Sequence, residues 1–186
     1  MLSLLKGNLL FVRSDDDGLD QSIAESTKRA GQDVTYSHVA MVDVEEKEES
    51  AAIYVIEATG DDGVVTGTFD NFLSEHRGRI DVYRYQKDFK DIVSVLSFAR
   101  AQVGKPYNHG FFQEDPGFYC SQLVTASFKG EDIFKETPLA FGPNGTVLPE
   151  WKEYYAKLGR EVPTADLGSS PNSLLAGEDW QCIASL

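Results

Sequence analysis

Residues 104–124 contain the stretch that decides the fold, Gly104-Lys105-Pro106-Tyr107 followed after a short gap by Phe118-Tyr119-Cys120-Ser121-Gln122-Leu123-Val124. Pro116-Gly117 breaks the chain just before the second segment, and apolar residues then continue at helical spacing as far as Phe128. Cys120 is therefore predicted in the first turn of a helix over 119–128. At such a position the helix dipole and the unpaired backbone N–H groups favour a thiolate and can bind an oxyanion. The alternative for Cys120 is a small buried hydrophobe, which is the commoner role of a free cysteine.

A histidine and a glutamate are predicted to face each other across a β-hairpin that precedes this helix. Segments 36–44 and 51–58 are rich in β-forming residues, with an acidic loop between them. If Val44 pairs with Ala51, His38 lies directly opposite Glu57, with Cβ atoms about 5 Å apart. A carboxylate beside an imidazole fixes its tautomer and stabilises its charged form, as a general base requires. The alternative is a half-exposed ion pair on the sheet surface, and a one-residue slip would place the two on opposite faces.

The rest of the pattern predicts an α+β architecture in one domain, residues 1–186. Strands are expected at 9–12 and 80–85, and helices at 19–29, at 68–76 with Thr68 as cap, and at 88–103 with Asp88 as cap. The apolar stripe of the last helix would comprise Phe89, Ile92, Val93, Leu96, Ala99 and Val103. Beyond Pro138 the pattern weakens, and long loops that wrap the core are expected up to residue 186.

Composition limits the partners of the chain. Its 186 residues carry 17 Lys and Arg against 30 Asp and Glu, a net charge of −13. We therefore expect no nucleic-acid partner and no membrane partner, because both favour an excess of basic residues. No apolar stretch is long enough to cross a bilayer, and the first residues make a poor signal peptide. The chain is expected in the cytoplasm as encoded, or outside it as a mature domain whose signal has been omitted.

The cysteines and histidines indicate no metal centre. Cys120 and Cys182 cannot form a disulfide framework. Cys182 has no surroundings that suggest chemistry, so it is predicted to be a small buried hydrophobe. The three histidines and two cysteines are too scattered for a zinc-binding pattern. We expect no metal and no cofactor.

Together these segments resemble the NlpC/P60 superfamily of papain-like cysteine hydrolases. The order here is His, Glu, Cys, whereas ordinary members run Cys, His and then a polar residue. That inversion is typical of the circularly permuted, YiiX-like (YaeF/YiiX) branch. Further motifs of that branch are similar to Gly7-Asn8-Leu9-Leu10-Phe11, to residues 37–40 and to residues 55–58. The resemblance covers about residues 7–128, with four motifs in order. Asn8 replaces the usual Asp of the first motif, which does not belong to the catalytic set.

The resemblance implies a circularly permuted papain-like fold in which a nucleophile-bearing helix packs against an antiparallel sheet. It implies Cys120 as nucleophile, His38 as general base and Glu57 as the residue that orients the imidazole. The candidates for contacts with the substrate or the oxyanion are Tyr107, Tyr36, Ser121 and His109. For His109 the alternative is a plain loop histidine, and His76 is expected at the surface.

The implied activity is hydrolysis of an amide bond, in a cell-wall-type peptide or another small amide, through an acyl-enzyme. The acidic balance of the chain fits a substrate that carries an amine. One alternative is a lipid-directed thiol acyltransferase or hydrolase of the lecithin:retinol acyltransferase type, although residues 119–123 differ from the Asn-Cys-Glu-His-Phe motif of those enzymes. Another alternative is a binding module without catalysis. The sequence leaves the bond cleaved, the acyl acceptor and the oligomeric state open.

Overall fold

The computed structural model describes residues 2–15, 18–47 and 50–186. The strands in these ranges are β1 Leu9–Arg13, β2 Tyr36–Lys47, β3 Ser50–Thr59, β4 Gly63–Thr68, β5 Ile80–Tyr85, β6 Thr137–Pro138, β7 Leu167–Gly168 and β8 Trp180–Ser185. The α-helices are α1 Gly18–Thr27, α2 Phe69–Glu75, α3 Ile92–Ala101, α4 Cys120–Ser127, α5 Pro149–Leu158 and α6 Pro171–Leu174. None of the helices in the described ranges has the length and apolar character needed to cross a bilayer.

One antiparallel sheet forms the centre of the fold, with strand order β4-β3-β2-β1-β5-β8. Strands β6 and β7 pair separately. Apolar side chains alternate between the two faces of the central strands, as a sheet that is covered on both sides requires. On one face Leu9, Phe11 and Met41 pack with Leu123 of α4 and with Phe128, which follows this helix. On the other face Leu10 and Val42 pack with Phe72 of α2. The α+β architecture and the packing of the helix that begins at Cys120 against an antiparallel sheet are confirmed.

The β2–β3 hairpin has a register two residues away from the predicted one. Val44 opposes Ile53 instead of Ala51, and the strands continue to Lys47 and Ser50. The acidic loop is therefore shorter than expected, and its residues 48 and 49 lie outside the described ranges. A shift by two residues keeps every side chain on its predicted face, since side chains alternate with a period of two.

Helix α3 begins later than predicted. Its cap is Asp91, whose carboxylate accepts a hydrogen bond from the backbone N–H of Ser94 at 3.0 Å, so Asp88 is not the cap. The carboxylate of Glu131 accepts hydrogen bonds from the backbone N–H groups of residues 90 and 91 at 2.6 and 2.7 Å. This contact holds the preceding residues outside the helix. Val93 and Val103 of the predicted stripe are exposed, because the buried face is formed by Val95, Leu96 and Ala99.

The region after Pro138 contains more regular structure than the expected long loops. Helix α5 places Trp151 and Tyr155 in a buried aromatic cluster with Phe111, Tyr119 and Phe141. Strand β8 adds an edge to the sheet beside β5. Residues 138–177 lie against the end of α4 that carries Cys120, and this placement gives them a part in the site.

Candidate active site

Cys120 is the first residue of α4, as the sequence predicts. Tyr119, which precedes it, has an extended backbone, and its N–H donates a hydrogen bond to the side-chain oxygen of Gln122 at 3.2 Å. Asn108 donates to the same oxygen at 3.2 Å, so Gln122 joins the helix start to the loop before it. Cys120 itself is buried, with 6% of its surface exposed. The thiol is thus held at a rigid helix N-terminus, where the dipole favours negative charge.

Gly117 brings the loop with Tyr107 against the helix start. The backbone at Gly117 has φ +88°, and a Cβ there would lie 1.9 Å from the carbonyl oxygen of Pro106. Phe118 donates its N–H to that oxygen at 3.2 Å and accepts from Asn108 at 3.1 Å. Only glycine permits this approach, which explains the break that the sequence shows before the helix.

His38 and Glu57 meet across β2 and β3. Their side chains form a contact of 2.6 Å between Nε2 and Oε2, and 19% of the His38 side chain and 12% of the Glu57 side chain are exposed. Burial alone would lower the pKa of His38, but hydrogen bonds with the Cys120 thiol and with Glu57 outweigh it and raise the pKa to about 10. The imidazole therefore lies between the thiol and the carboxylate. It also holds a proton at neutral pH that it can transfer.

Three of the four candidates for substrate or oxyanion contacts lie near Cys120. Tyr107 lines the cavity at Cys120, and burial together with the nearby thiol raises the pKa of its hydroxyl well above the usual value. Ser121 is buried and lines the same cavity, and its hydroxyl has no hydrogen-bond partner among the described residues. His109 is exposed, and its ring lies 4.9 Å from that of Tyr107, so it supports this tyrosine from outside.

Tyr36 does not join this group. Its hydroxyl donates to Asp81 at 2.8 Å and lies 3.1 Å from the Tyr83 hydroxyl, in a second cavity whose lining residues do not include Cys120. The candidate contact between Tyr36 and the substrate or oxyanion is therefore not supported by its position. Asp81 on strand β5 binds the hydroxyl instead.

His76 lies closer to the site than the sequence indicates. It follows α2 directly, it is half-buried rather than at the surface, and its ring centroid is 6.0 Å from that of His38. Phe72 packs against the same His76 ring at 4.6 Å. The Thr68 cap predicts helix α2 and its direction relative to β4. The pairing of β4 in the sheet was not predicted, so the position of His76 near His38 was missed.

A cavity of about 690 Å³ extends from Cys120. Its wall is mostly apolar and is formed by α1, α5 and residues 133–141 and 168–177, with the side chains Ile23, Phe111, Phe134, Leu139, Phe141, Trp151 and Leu174. Such a volume accommodates a drug-sized ligand. Residues 138–186, which were expected to form loops over the core, thus contribute much of the cavity wall. Trp151 packs in the buried aromatic cluster and also lines the cavity.

The family follows from comparison of the whole chain. The family model described as permuted papain-like amidase enzyme, YaeF/YiiX, C92 family, matches residues 3–184. The chain belongs to the YaeF/YiiX family. Among solved structures, metalloprotein yiiX from Escherichia coli O157:H7 is similar with a TM-score of 0.76 and 22% identity, over 97% of each chain. At that identity the similarity shows the fold alone. The sequence matches none of the curated proteins.

Membership in the YaeF/YiiX family confirms the circularly permuted papain-like fold that the motif order predicts. It also supports a papain-like cysteine hydrolase at the level of the family. The remaining cysteine, Cys182, is exposed on β8 and is not the buried hydrophobe that the sequence suggested. Its side chain lines the second cavity, with Tyr36 and Asp81.

Proposed function

We propose that this protein is a cysteine hydrolase that cleaves an amide or ester bond by way of an acyl-enzyme. One observation carries the proposal: the His38 imidazole interacts both with the thiol of Cys120, the first residue of α4, and with the Glu57 carboxylate. Nucleophile, base and orienting group within hydrogen-bonding reach of one another are the arrangement that thiol hydrolases require. We also propose that the chain is a member of the NlpC/P60 superfamily and that residues 1–186 form a single domain.

In the first step the Cys120 thiolate attacks the carbonyl carbon, and the carbonyl electron pair moves to oxygen. His38, which holds a proton, donates it to the leaving amine or alcohol as the bond to carbon breaks. In the second step water attacks the thioester, His38 accepts a proton from that water, and the thiolate leaves. Glu57 keeps the imidazole in one orientation throughout and stabilises its charged form.

The oxyanion of each step needs hydrogen-bond donors at the helix start. Tyr107 is the side chain best placed for this, because its hydroxyl lies against Cys120 and remains protonated. Backbone N–H groups of the first turn of α4 are the other donors that the geometry offers. Ser121 has a buried hydroxyl free to bind a polar group of the substrate.

The cavity favours a substrate with a large apolar group on one side of the scissile bond. A mostly apolar wall stabilises an alkyl or aryl group by removing its surface from water. This observation favours a lipid-type amide or ester as the second candidate beside a small peptide amide. It gives no support to the capture of an amine inside the cavity, because no Asp or Glu is among the described residues that line it.

The related structure from Escherichia coli is titled a metalloprotein. In the present chain no group of three or more His, Cys, Asp or Glu side chains within the described ranges is close enough to hold a metal ion. The residues therefore do not fit a metal centre, and the proposed chemistry uses side chains alone.

The experiment measures hydrolysis of fluorogenic amides and esters, with acyl chains from acetyl to dodecanoyl, by the wild type and by Cys120→Ala. We expect turnover by the wild type and background rates for the variant with an unchanged thermal melting curve. Cys182→Ala is the matched control, since Cys182 is exposed and remote from His38, and it should retain full activity. Equal rates for wild type and Cys120→Ala would refute the mechanism.

A labelling experiment tests the alternative of a binding module without catalysis. Iodoacetamide at neutral pH should modify Cys120 faster than Cys182, although Cys182 is the more exposed of the two. Partial desolvation and the nearby Asp81 raise the pKa of the Cys182 thiol, which makes it a slow reference. Equal labelling of the two cysteines would favour the binding module.

A further inference from the structure

The charged residues of the apolar cavity all have one sign. Lys28, Arg29 and Lys135 line it, and among the described lining residues there is no Asp or Glu. The chain as a whole has 30 acidic and 17 basic residues, so an average surface would show the opposite balance. The local charge therefore differs in sign from the net charge, and the local charge is what a bound molecule experiences.

Arg29 lacks the carboxylate partner that other arginines of the chain have. Arg13 binds Asp81, Arg100 binds Asp43 and Arg160 binds Asp115. In the part of the chain that the structure describes, Arg29 forms no ion pair, and its Nη1 atom is buried without a hydrogen-bond partner. A guanidinium nitrogen that is shielded from water and has no acceptor costs free energy. An anionic oxygen of a ligand would remove this cost.

Arg29 lies where the large cavity adjoins the second one, because it is among the lining residues of both. It follows α1, and it lines the second cavity of about 430 Å³ as well, whose lining includes neither Cys120 nor Tyr107. The carboxylate of Asp81 in that second cavity is already bound by Arg13, Tyr36 and Ser185. Arg29 is thus on the side of the large cavity that adjoins the second cavity, and Cys120 lines the large cavity alone.

We propose that the cavity selects amphiphilic substrates in which an apolar chain carries a carboxylate or phosphate group at the end remote from the scissile bond. Arg29 binds this anionic group by charge-assisted hydrogen bonds, and Lys28 and Lys135 add to the positive potential. The inference rests on the proposed function, because it assigns Cys120 to the reacting end of the substrate. It makes Arg29 a residue that determines specificity.

The test uses methylumbelliferyl monoesters that share one scissile bond and differ only in the far end of the acyl chain. The far ends are methyl, carboxylate, phosphonate and trimethylammonium, in series from the hexanoyl to the hexadecanoyl length so that one chain spans the cavity. At the best length we expect kcat/KM to be about tenfold higher for a carboxylate or phosphonate end than for methyl, and lowest for ammonium. The carboxylate and phosphonate series show which anion is preferred.

Arg29→Gln should remove this preference, so that methyl-ended and anionic esters react at equal rates, whereas Arg29→Lys should retain part of it. Lys157→Gln, which removes an exposed charge paired with Glu153 on α5, is the matched control and should keep the full preference. Equal rates for methyl and anionic ends in the wild type would overturn the proposal. A preference that persists in Arg29→Gln would overturn it as well.

Binding to Cys120→Ala separates this proposal from the proposed function. Calorimetry with hexadecanedioate and with hexadecanol measures the anion preference without any turnover. A preference for the dicarboxylate that Arg29→Gln abolishes supports the anion subsite even if no ester is hydrolysed. Absence of that preference refutes the subsite even if every ester is hydrolysed.

Discussion

Replacement of Glu57 by Gln tests how the carboxylate acts on His38. Gln keeps the size of the side chain and an oxygen that can accept a hydrogen bond, but it removes the charge at the contact of 2.6 Å. A hydrogen bond to a charged group contributes about 1.5 kcal/mol more than a neutral one. Since one pKa unit corresponds to about 1.4 kcal/mol, the pKa of His38 should fall from about 10 by about one unit.

The assay is the pH dependence of kcat/KM, whose basic limb reports loss of the proton from the Cys120–His38 pair in the free enzyme. This limb should move to lower pH by about one unit in Glu57→Gln, with a lower maximal rate. Glu153→Gln, an exposed substitution of the same type on α5, should leave the profile unchanged. A basic limb in the wild-type position for Glu57→Gln would show that the carboxylate does not control the proton on His38.

The pH dependence of the free energy of unfolding provides a second test of the same interaction. The folded-state pKa of His38 is raised above 6.5, so its favourable interactions contribute fully below pH 6.5 and are lost as the pH rises through about 10. The loss of unfolding free energy in Glu57→Gln should therefore be greatest near pH 6, at about 1.5 kcal/mol, and small above about pH 10. Urea unfolding at several pH values measures it. A loss that grows with pH would contradict the assigned cause.

Three further substitutions test the supporting structure. Tyr107→Phe should lower kcat by about a hundredfold with little change in KM, because an oxyanion donor acts in the transition state, and steady-state kinetics measures the split. Gly117→Ala should lower the free energy of unfolding by at least about 2 kcal/mol, because φ is +88° and the carbonyl of Pro106 occupies the position of the new Cβ. Urea unfolding measures this loss. Gly130→Ala, whose added Cβ would have no atom within 4 Å, is the control. Asn172→Ala should cost about 3 kcal/mol in the same assay, because its buried amide binds the N–H and carbonyl of Tyr36 at 3.0 and 2.9 Å. A stable Asn172→Ala variant would show that water replaces these bonds.

Local signals in the sequence located the elements that carry Cys120, His38 and Glu57. The Pro-Gly break before Cys120 and the Thr68 cap both describe interactions within a few residues, and both appear in the structure. Alternation of apolar residues likewise located β2 and β3. The register could not be obtained in this way, because the pairing depends on how far the hairpin extends, and the acidic residues at its end pair as well as the apolar ones do.

Contacts between residues far apart in the chain determine the structural features that the sequence did not predict. Asp88 and Asp91 are equally good caps by residue type, and only the carboxylate of Glu131, on another segment, selects the later one. Tyr36 is a candidate by residue type and motif, whereas Asp81, which is 45 residues away in the chain, binds its hydroxyl. Short edge strands such as β4 and β8 acquire their structure mainly from pairing with a neighbour, so a local pattern identifies them poorly.

Chemistry and specificity come from different parts of the chain. His38, Glu57 and Cys120 are held by the sheet and by α4, while most of the cavity wall comes from α1 and from residues 133–177. Substitution in the wall changes the volume and charge around the substrate without moving the contact between His38 and Glu57, since no wall residue forms that contact. The net charge of −13 is consequently a poor guide to the substrate, because three basic side chains determine the potential of the cavity. In this fold, the segments with the family motifs carry Cys120, His38 and Glu57, whereas residues outside those segments form most of the cavity wall.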